Sequence, residues 1–321
     1  MRRSTPSPSV RDRRLTRTLP GVSTLSEQRL PESQGPRSQA ADDDQAADDD
    51  QAEIAPAAAE AAPAVSAASA VAPGYAGTWV VLPTYNEVAN IEAISAAILT
   101  ALPGAALLVV DDGSPDGTGE FADRLAAENP LVQVRHRKAK QGLGRAYLDG
   151  FGVALTGGAK VVVQMDADWS HDPAALPSLV RPLLEGRADL VIGSRYVAGG
   201  GTTDWGLLRK LISRCGSLFA RSMLGLAPND LTGGFKAWRS ATLASVPADG
   251  VRAGGYVFQI EMTYRASRLG ARVVEVPILF RDRLAGQSKM SRRIIVEAFF
   301  VVLSLRWDEL RGRGPKRPSR S

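Results

Sequence analysis

The chain predicts an α/β fold in which a mostly parallel sheet is flanked by helices. Three observations predict it. From residue 75 onward, short apolar runs alternate with segments whose apolar residues recur at helical spacing. That alternation implies parallel strands joined by right-handed crossovers. Most apolar runs also end in a polar loop carrying Asp, Tyr, Glu or Arg, which places chemistry along one rim of the sheet.

The elements follow in order. Thr78–Leu82 reads as the first strand and Pro83-Thr84-Tyr85-Asn86-Glu87 as its loop. Ile91, Ile94, Ile98 and Leu102 line one helix face. Leu107–Val110 forms the next strand and ends in Asp111-Asp112-Gly113-Ser114-Pro115-Asp116-Gly117, where Gly and Pro serve the turn itself. Phe121 and Leu125 mark a second helix, and Leu131–Val134 a third strand. Leu143, Tyr147, Phe151 and Leu155 line another helix. Val161–Met165 is a buried strand, and Leu190–Ile192 a further one ending in Gly193-Ser194-Arg195.

Asp166-Ala167-Asp168 follows the Val161–Met165 run. On an extended segment, carboxylates two residues apart point to the same side. At a strand's carboxyl end they face the crevice where open α/β sheets bind ligands, and two hard oxygen donors suit Mg²⁺ or Mn²⁺ shared with a phosphate. A strand-end turn with two solvated aspartates has the same sequence, so the pair alone leaves both readings open. His171-Asp172-Pro173 reads as the cap and first turn of the next helix. Gly142-Leu143-Gly144 lacks the third glycine of a dinucleotide fingerprint and does not directly follow a strand.

Composition divides the 321 residues into three parts. Residues 1–74 join a basic stretch, the acidic repeat Asp42–Ala52 and an Ala/Pro tract, a composition expected to be disordered. No apolar h-region follows the early arginines, so no signal peptide is expected. Residues 75–305 carry the periodic pattern, and 306–321 form a basic tail. From Arg281 to Ser321 eleven Lys/Arg stand against four Asp/Glu, which suits either solvent or anionic lipid. Without aromatic-basic interleaving or a known module, no nucleic-acid partner is expected. Trp205–Leu224 is amphipathic, with Leu207, Leu208, Leu211, Cys215, Leu218, Phe219 and Met223 as a stripe that fits either the core or a membrane interface. Cys215 in that stripe reads as a packed thiol, and a single cysteine excludes an internal disulfide. Ile294–Leu305 is apolar but too short to span a bilayer.

The segments PTYNE, VVDDGSPDGTGE, GLGRAY, MDADWSHDP, IGSRY, DLTGGFKAWR, GYVFQIEM and DRLAGQSKMS occur in this order. Together they closely resemble dolichol/polyprenol-phosphate mannosyltransferases, which are family 2 inverting glycosyltransferases of GT-A fold. The resemblance covers roughly residues 77–305. It implies a Rossmann-like GT-A domain with C-terminal amphipathic interfacial helices. It implies transfer of mannose from GDP-mannose to a polyprenyl phosphate, with Mg²⁺ or Mn²⁺ as cofactor. The similar alternatives are a UDP-glucose-dependent glucosyltransferase and a catalytically silent nucleotide-sugar-binding scaffold.

The resemblance assigns Pro83, Tyr85 and Glu87 to the nucleotide, with Tyr85 against the base, and Val110 and Asp112 to base and ribose. Asp166 and Asp168, on either side of Ala167, would hold metal and diphosphate, with Ser170 where some relatives place a third metal contact. Arg195 and Arg209 would meet phosphates, and Arg283 and Lys289 would close over donor and acceptor. Some relatives carry membrane helices or a membrane-bound partner subunit. This chain resembles the type without such helices. It is therefore expected in the cytoplasm, peripheral to the cytoplasmic face of the membrane, where a membrane-embedded partner enzyme could consume its product.

Overall fold

The computed structural model of the chain describes residues 74–203, 205–247, 250–251, 255–282 and 292–315. Arg283, Lys289 and the 1–73 stretch lie outside the described residues.

The first half runs β1 (Thr78–Thr84), α1 (Ile91–Ala101), β2 (Ala106–Asp111), α2 (Thr118–Glu128), β3 (Val132–His136), α3 (Leu143–Thr156) and β4 (Val161–Gln164). A short 3₁₀ turn (Pro173–Ala175) leads into α4 (Leu176–Leu184), β5 (Leu190–Ser194), β6 (Gly201–Thr202) and α5 (Leu207–Leu224). Then come β7 (Lys236–Arg239), α6 (Ser240–Ser245), α7 (Gly255–Arg268), β8 (Val273–Pro277), β9 (Leu279–Phe280) and α8 (Arg292–Leu310).

Seven strands form one sheet in the order β3-β2-β1-β4-β7-β5-β8. All pairings are parallel except those of β7, which lies antiparallel between β4 and β5. The mostly parallel sheet flanked by helices is the expected GT-A architecture. β1 is buried along its whole length, as a central strand covered on both faces must be. Its side chains alternate between two cores. Val80 and Leu82 join Ile91, Ile94, Ile98 and Leu179 on one face, while Trp79 and Val81 join Tyr147, Phe151 and Phe258 on the other. A third cluster joins α5, α7 and α8 through Ala220, Leu224, Ile260, Tyr264, Val302 and Leu305.

The structure decides between the two fits of the α5 stripe, and it corrects the reading of Cys215 and the extent of the last helix. The residues of α5 that turn inward are Ser213, Ser217, Ala220 and Leu224, not the leucine stripe. Leu207, Leu208, Leu211 and Leu218 are 58–85% exposed, and Cys215 is exposed rather than packed. Small residues let the helix sit close to its neighbours, and Tyr196 Oη donates to Ser213 Oγ at 2.6 Å across that contact. The final helix also continues to Leu310, past the 305/306 boundary where a tail was expected. Val296, Phe299, Phe300, Trp307 and Leu310 are exposed along it. Among the described residues, no helix is long and apolar enough to cross a membrane.

Gly150 sets how closely α3 approaches the sheet. A Cβ there would lie 2.4 Å from Val81 Cγ1 and 3.0 Å from Val110 Cγ2. Both neighbours are β-branched and fixed in strands, so neither can swing aside. Gly150→Ala is therefore expected to destabilise the fold by about 1–3 kcal/mol through overpacking. Its denaturation midpoint in urea checks this, and an unchanged midpoint would show that α3 can move outward freely.

Candidate active site

The parallel register of β1 with β2 and β4 brings three strand ends side by side. Pro83 pairs with Val110 and Thr84 with Asp111, while Val81 pairs with Gln164 and its carbonyl accepts from Met165 N. The Pro83–Glu87 loop, the Asp111–Asp116 loop and the acidic pair thus share one rim, as the sequence suggested.

Neighbouring aspartates on this rim do different work. Asp111 accepts from Thr84 Oγ1, Gly113 N, Ser114 N and Ser114 Oγ, so it builds the turn. Asp116 likewise accepts from Thr118 and from Val88 N. Burial on its own would raise its carboxyl, but the hydrogen bonds from Thr118 and Val88 together outweigh it and hold the group below the usual range. Asp112 instead pairs with Arg137. The Lys140 ammonium lies 3.3 Å above the Tyr85 ring centroid, on the ring expected to face a base. Glu87 accepts from Asn90 Nδ2 at 2.8 Å.

The acidic pair lies just past the end of β4. Asp166 Oδ1 accepts from Tyr147 Oη at 2.7 Å, and Oδ2 lies 3.9 Å from His171 Nε2. Burial first, and then the neighbouring Asp166 charge, push the Tyr147 hydroxyl well above the ordinary tyrosine range. Asp168 Oδ1 accepts from Ser170 N and from Ser170 Oγ at 2.5 Å. Trp169 between them has φ 60, a left-handed conformation that a bulky residue holds only at a cost of order 1–3 kcal/mol. That turn brings Ser170 back onto Asp168. The Ser170 proton goes to the carboxylate, which leaves the hydroxyl lone pairs as its donor to any metal. Asp172 caps the following turn through Ala174 N, with Pro173 next, as expected. His171 is buried 1% exposed and stacks on Phe235 at 4.8 Å.

Two carboxylates and a hydroxyl form an all-oxygen donor set that fits a hard divalent cation. Among the described residues no group of three or more His, Cys, Asp or Glu could hold a metal. Mg²⁺-type sites of this kind use one or two carboxylates and take their remaining ligands from substrate phosphate and water.

Arg195 and Arg209 connect to this pair through an aromatic wall. His171 meets Phe280 edge-on at 5.2 Å, and Phe280 meets Trp205 at 5.2 Å. The Arg195 guanidinium carbon lies 5.4 Å from both the Trp205 and Phe280 rings, and that of Arg209 lies 4.1 Å from Trp205. Arg209 Nη1 also donates to Asp282 at 2.8 Å. Arg195 is buried and donates from Nε and Nη2 to the two oxygens of Asp230, each at 2.7 Å. Glu275 braces that partner by accepting from Asn229 N, Asn229 Nδ2 and Asp230 N. Burial alone would raise the Asp230 carboxyl, but Arg195 and its N–H donors outweigh it and hold it below the usual range.

An open groove of about 490 Å³ begins at Arg195 and Tyr196. It runs past Gly201, Thr202, Leu207, Lys210, Leu211 and Arg214. It combines cations with exposed leucines and so suits an anionic head on an apolar chain. Asp230, Glu275, Tyr147, Trp205 and Phe280 were not singled out as site residues from the sequence. The polar DLTGGFK and GLGRAY segments carry the only local signal for two of them.

Comparison with known proteins agrees with this architecture. Residues 79–244 match the family described as glycosyl transferase family 2. An undecaprenyl-phosphate mannosyltransferase of Micrococcus luteus is 48% identical over 237 residues, covering 73% of this chain and 97% of the relative. A polyprenol monophosphomannose synthase of Mycolicibacterium smegmatis is 46% identical over 237 residues, covering 74% and 88%. Among solved structures, glucosyl-3-phosphoglycerate synthase from Mycobacterium tuberculosis, in complex with Mn²⁺, UDP-glucose and phosphoglyceric acid, superposes with a TM-score of 0.53 at 25% identity. That match covers 71% of this chain and 78% of the other. The chain belongs to glycosyl transferase family 2 and is a glycosyltransferase.

Lys236, in the strand behind Arg195 and Asp230, offers a test of these buried charges. Its ammonium donates to Gln259 O at 2.8 Å and Thr263 Oγ1 at 2.9 Å. Burial lowers its pKa to about 7, with Arg195 adding to the effect and Asp230 opposing it. Between that value and the unfolded one near 10.5 the unfolded chain holds the extra proton, so stability rises with pH. Below it both states are charged and the full burial cost remains. Thr263 Oγ1 also donates to Gln259 O, so that carbonyl keeps a partner in Lys236→Met. The stability of wild type relative to Lys236→Met should rise by up to about 1.4 kcal/mol per pH unit through that window. Denaturant titrations at several pH values check it, and a constant difference would contradict it.

Proposed function

We propose that this glycosyltransferase moves mannose from GDP-mannose to a polyprenyl monophosphate, with inversion at the anomeric carbon. The observation that carries the reading is the aromatic wall joining the acidic pair to two arginines on the sheet rim. It is supported by the 48% identity to an undecaprenyl-phosphate mannosyltransferase.

In this reading Tyr85 stacks on the base, displacing Lys140 from its ring. Pro83, Glu87, Val110 and Asp112 line the nucleotide site. Asp166 and Asp168, with Ser170 beside them, hold Mg²⁺ or Mn²⁺ against the diphosphate. The cation supplies Lewis-acid stabilisation of the charge that develops on the departing GDP. Asp166 and Asp168 present fixed oxygens, so little reorganisation accompanies bond cleavage.

The acceptor is a phosphate monoester whose second ionisation lies near pH 6. Near neutral pH it is already a nucleophile, so no strong general base is required. Arg195 and Arg209 bring two mutually repelling polyanions together, and Asp230, bound along one edge of the Arg195 guanidinium, holds that group in one orientation. The resemblance assigns Arg283 and Lys289 to the closing of the site. The groove past Leu207 and Leu211 would take the first isoprene units, and the exposed apolar faces of α5 and α8 would rest on the membrane surface.

Two experiments test this. Labelled GDP-mannose, Mg²⁺ and polyprenyl phosphate should give lipid-extractable sugar, while labelled UDP-glucose should not. Asp168→Asn should lower that transfer by roughly 10²-fold or more without changing the melting temperature. Equal transfer from UDP-glucose would favour the glucosyltransferase alternative, and no transfer from either donor a silent binding role. Separately, the doubly substituted Leu208→Asp, Leu211→Asp chain should bind anionic phospholipid vesicles roughly tenfold more weakly, since two exposed leucines lose their contact with lipid. Unchanged co-sedimentation would move the membrane contact elsewhere.

A further inference from the structure

We propose that Tyr147 is a positioning residue for the metal-binding carboxylate, its hydroxyl fixing one oxygen of Asp166 so that a divalent cation meets the other in a preset orientation. The inference rests on the reading of Asp166 and Asp168 as the metal anchor and goes beyond it.

The geometry carries it in three steps. Tyr147 is fully buried, yet its Oη donates at 2.7 Å to a carboxylate whose side chain is 21% exposed. The hydroxyl therefore reaches out of the core to the floor of the site. Next, its ring has no room to turn. It stacks on Phe258 at 6.0 Å with an interplanar angle of 4°, and packs against Phe151 at 5.8 Å. Finally, α3 is seated on β1 and β2 at Gly150, three residues along, where even a methyl group would overlap Val81. Sheet, helix and ring together fix the hydroxyl, and the hydroxyl fixes Asp166 Oδ1. Oδ2 then lies on the side of Gly234, where a Cβ would come within 3.5 Å of it, and of His171 Nε2.

A carboxylate on a free side chain must lose rotational freedom when it ligates a metal. One already held by a second group loses less, and removing such a group typically costs about 10–100-fold in metal affinity. A merely structural tyrosine would not affect metal binding.

The test measures Mn²⁺ binding by electron paramagnetic resonance, titrating the full chain in the presence of GDP and, separately, UDP. Tyr147→Phe keeps the ring stack and should bind Mn²⁺ about 10–100-fold more weakly. Placed in an Asp166→Asn background, it should weaken binding no further, because its effect runs through that carboxylate. Tyr147→p-aminophenylalanine, which retains a donor, should restore binding to within about threefold of wild type.

If Asp166→Asn loses Mn²⁺ while Tyr147→Phe binds it like wild type, the positioning role is wrong and the metal anchor stands. If wild type and Asp166→Asn bind equally, the metal anchor is wrong and the positioning role falls with it. If Tyr147→Phe does not fold, the p-aminophenylalanine chain decides alone. Binding as weak as that of Asp166→Asn would then overturn the proposal.

Discussion

The parallel pairing of β1 with both β2 and β4 is the constraint on which the site depends. A parallel sheet aligns carboxyl ends, and every group on this rim issues from such an end or from a loop packed against one. The register matters as much as the direction. Val81 pairs with Gln164, which sets Asp166 beside the Pro83 turn. A slip of β4 by one residue would turn Val163 toward the opposite core and carry the acidic pair with it. Continuous burial of β1 on both faces holds the register, because Trp79, Val80, Val81 and Leu82 alternate between the two cores and each fits only one.

Charge in this rim is arranged in pairs that brace one another. Arg195 is buried against Asp230, whose loop is fixed by Glu275 from β8, and Lys236 lies in the strand behind. Burying such groups is costly, and it is tolerated when each has partners of good geometry. Here the pairing has a functional consequence. With Nε and Nη2 both donating to Asp230, the guanidinium of Arg195 has its orientation set by the fold, unlike a surface arginine that must be ordered when a ligand arrives. Asp168 is fixed by Ser170 in the same way. The crevice thus reaches its charge geometry at the folding step, before any substrate is bound.

Much of this was legible from residue types along the chain. The strands β1, β2, β4 and β5 announced themselves as apolar runs, and the acidic pair, Asp112 and Arg195 stood out as polar groups at their ends, while Arg209, inside α5, was reached only through the family resemblance. What was hidden is non-local. β7 is a four-residue strand with charged ends, Lys236 and Arg239, and only Ala237 and Trp238 between them, so it has no run to recognise. In α7, Gln259, Glu261 and Thr263 are buried, which erases the helical period. The α5 leucines follow a core-like spacing, yet the small residues face inward. Asp111 and Asp112 are adjacent and chemically identical, and only the fold decides that one builds a turn while the other pairs with Arg137. Asp230 lies 35 residues from Arg195, a distance no local pattern reports.

In the proposed reaction Asp166 and Asp168 anchor the cation that binds the donor diphosphate. The most direct measurement is an anomalous-scattering map from crystals of the chain grown with Mn²⁺ and GDP. The expected result is one Mn²⁺ peak bonded to a carboxylate oxygen of each aspartate at roughly 2.1 Å and to the diphosphate oxygens. A bound nucleotide with no metal at this pair, or with its metal held by other residues, would contradict it.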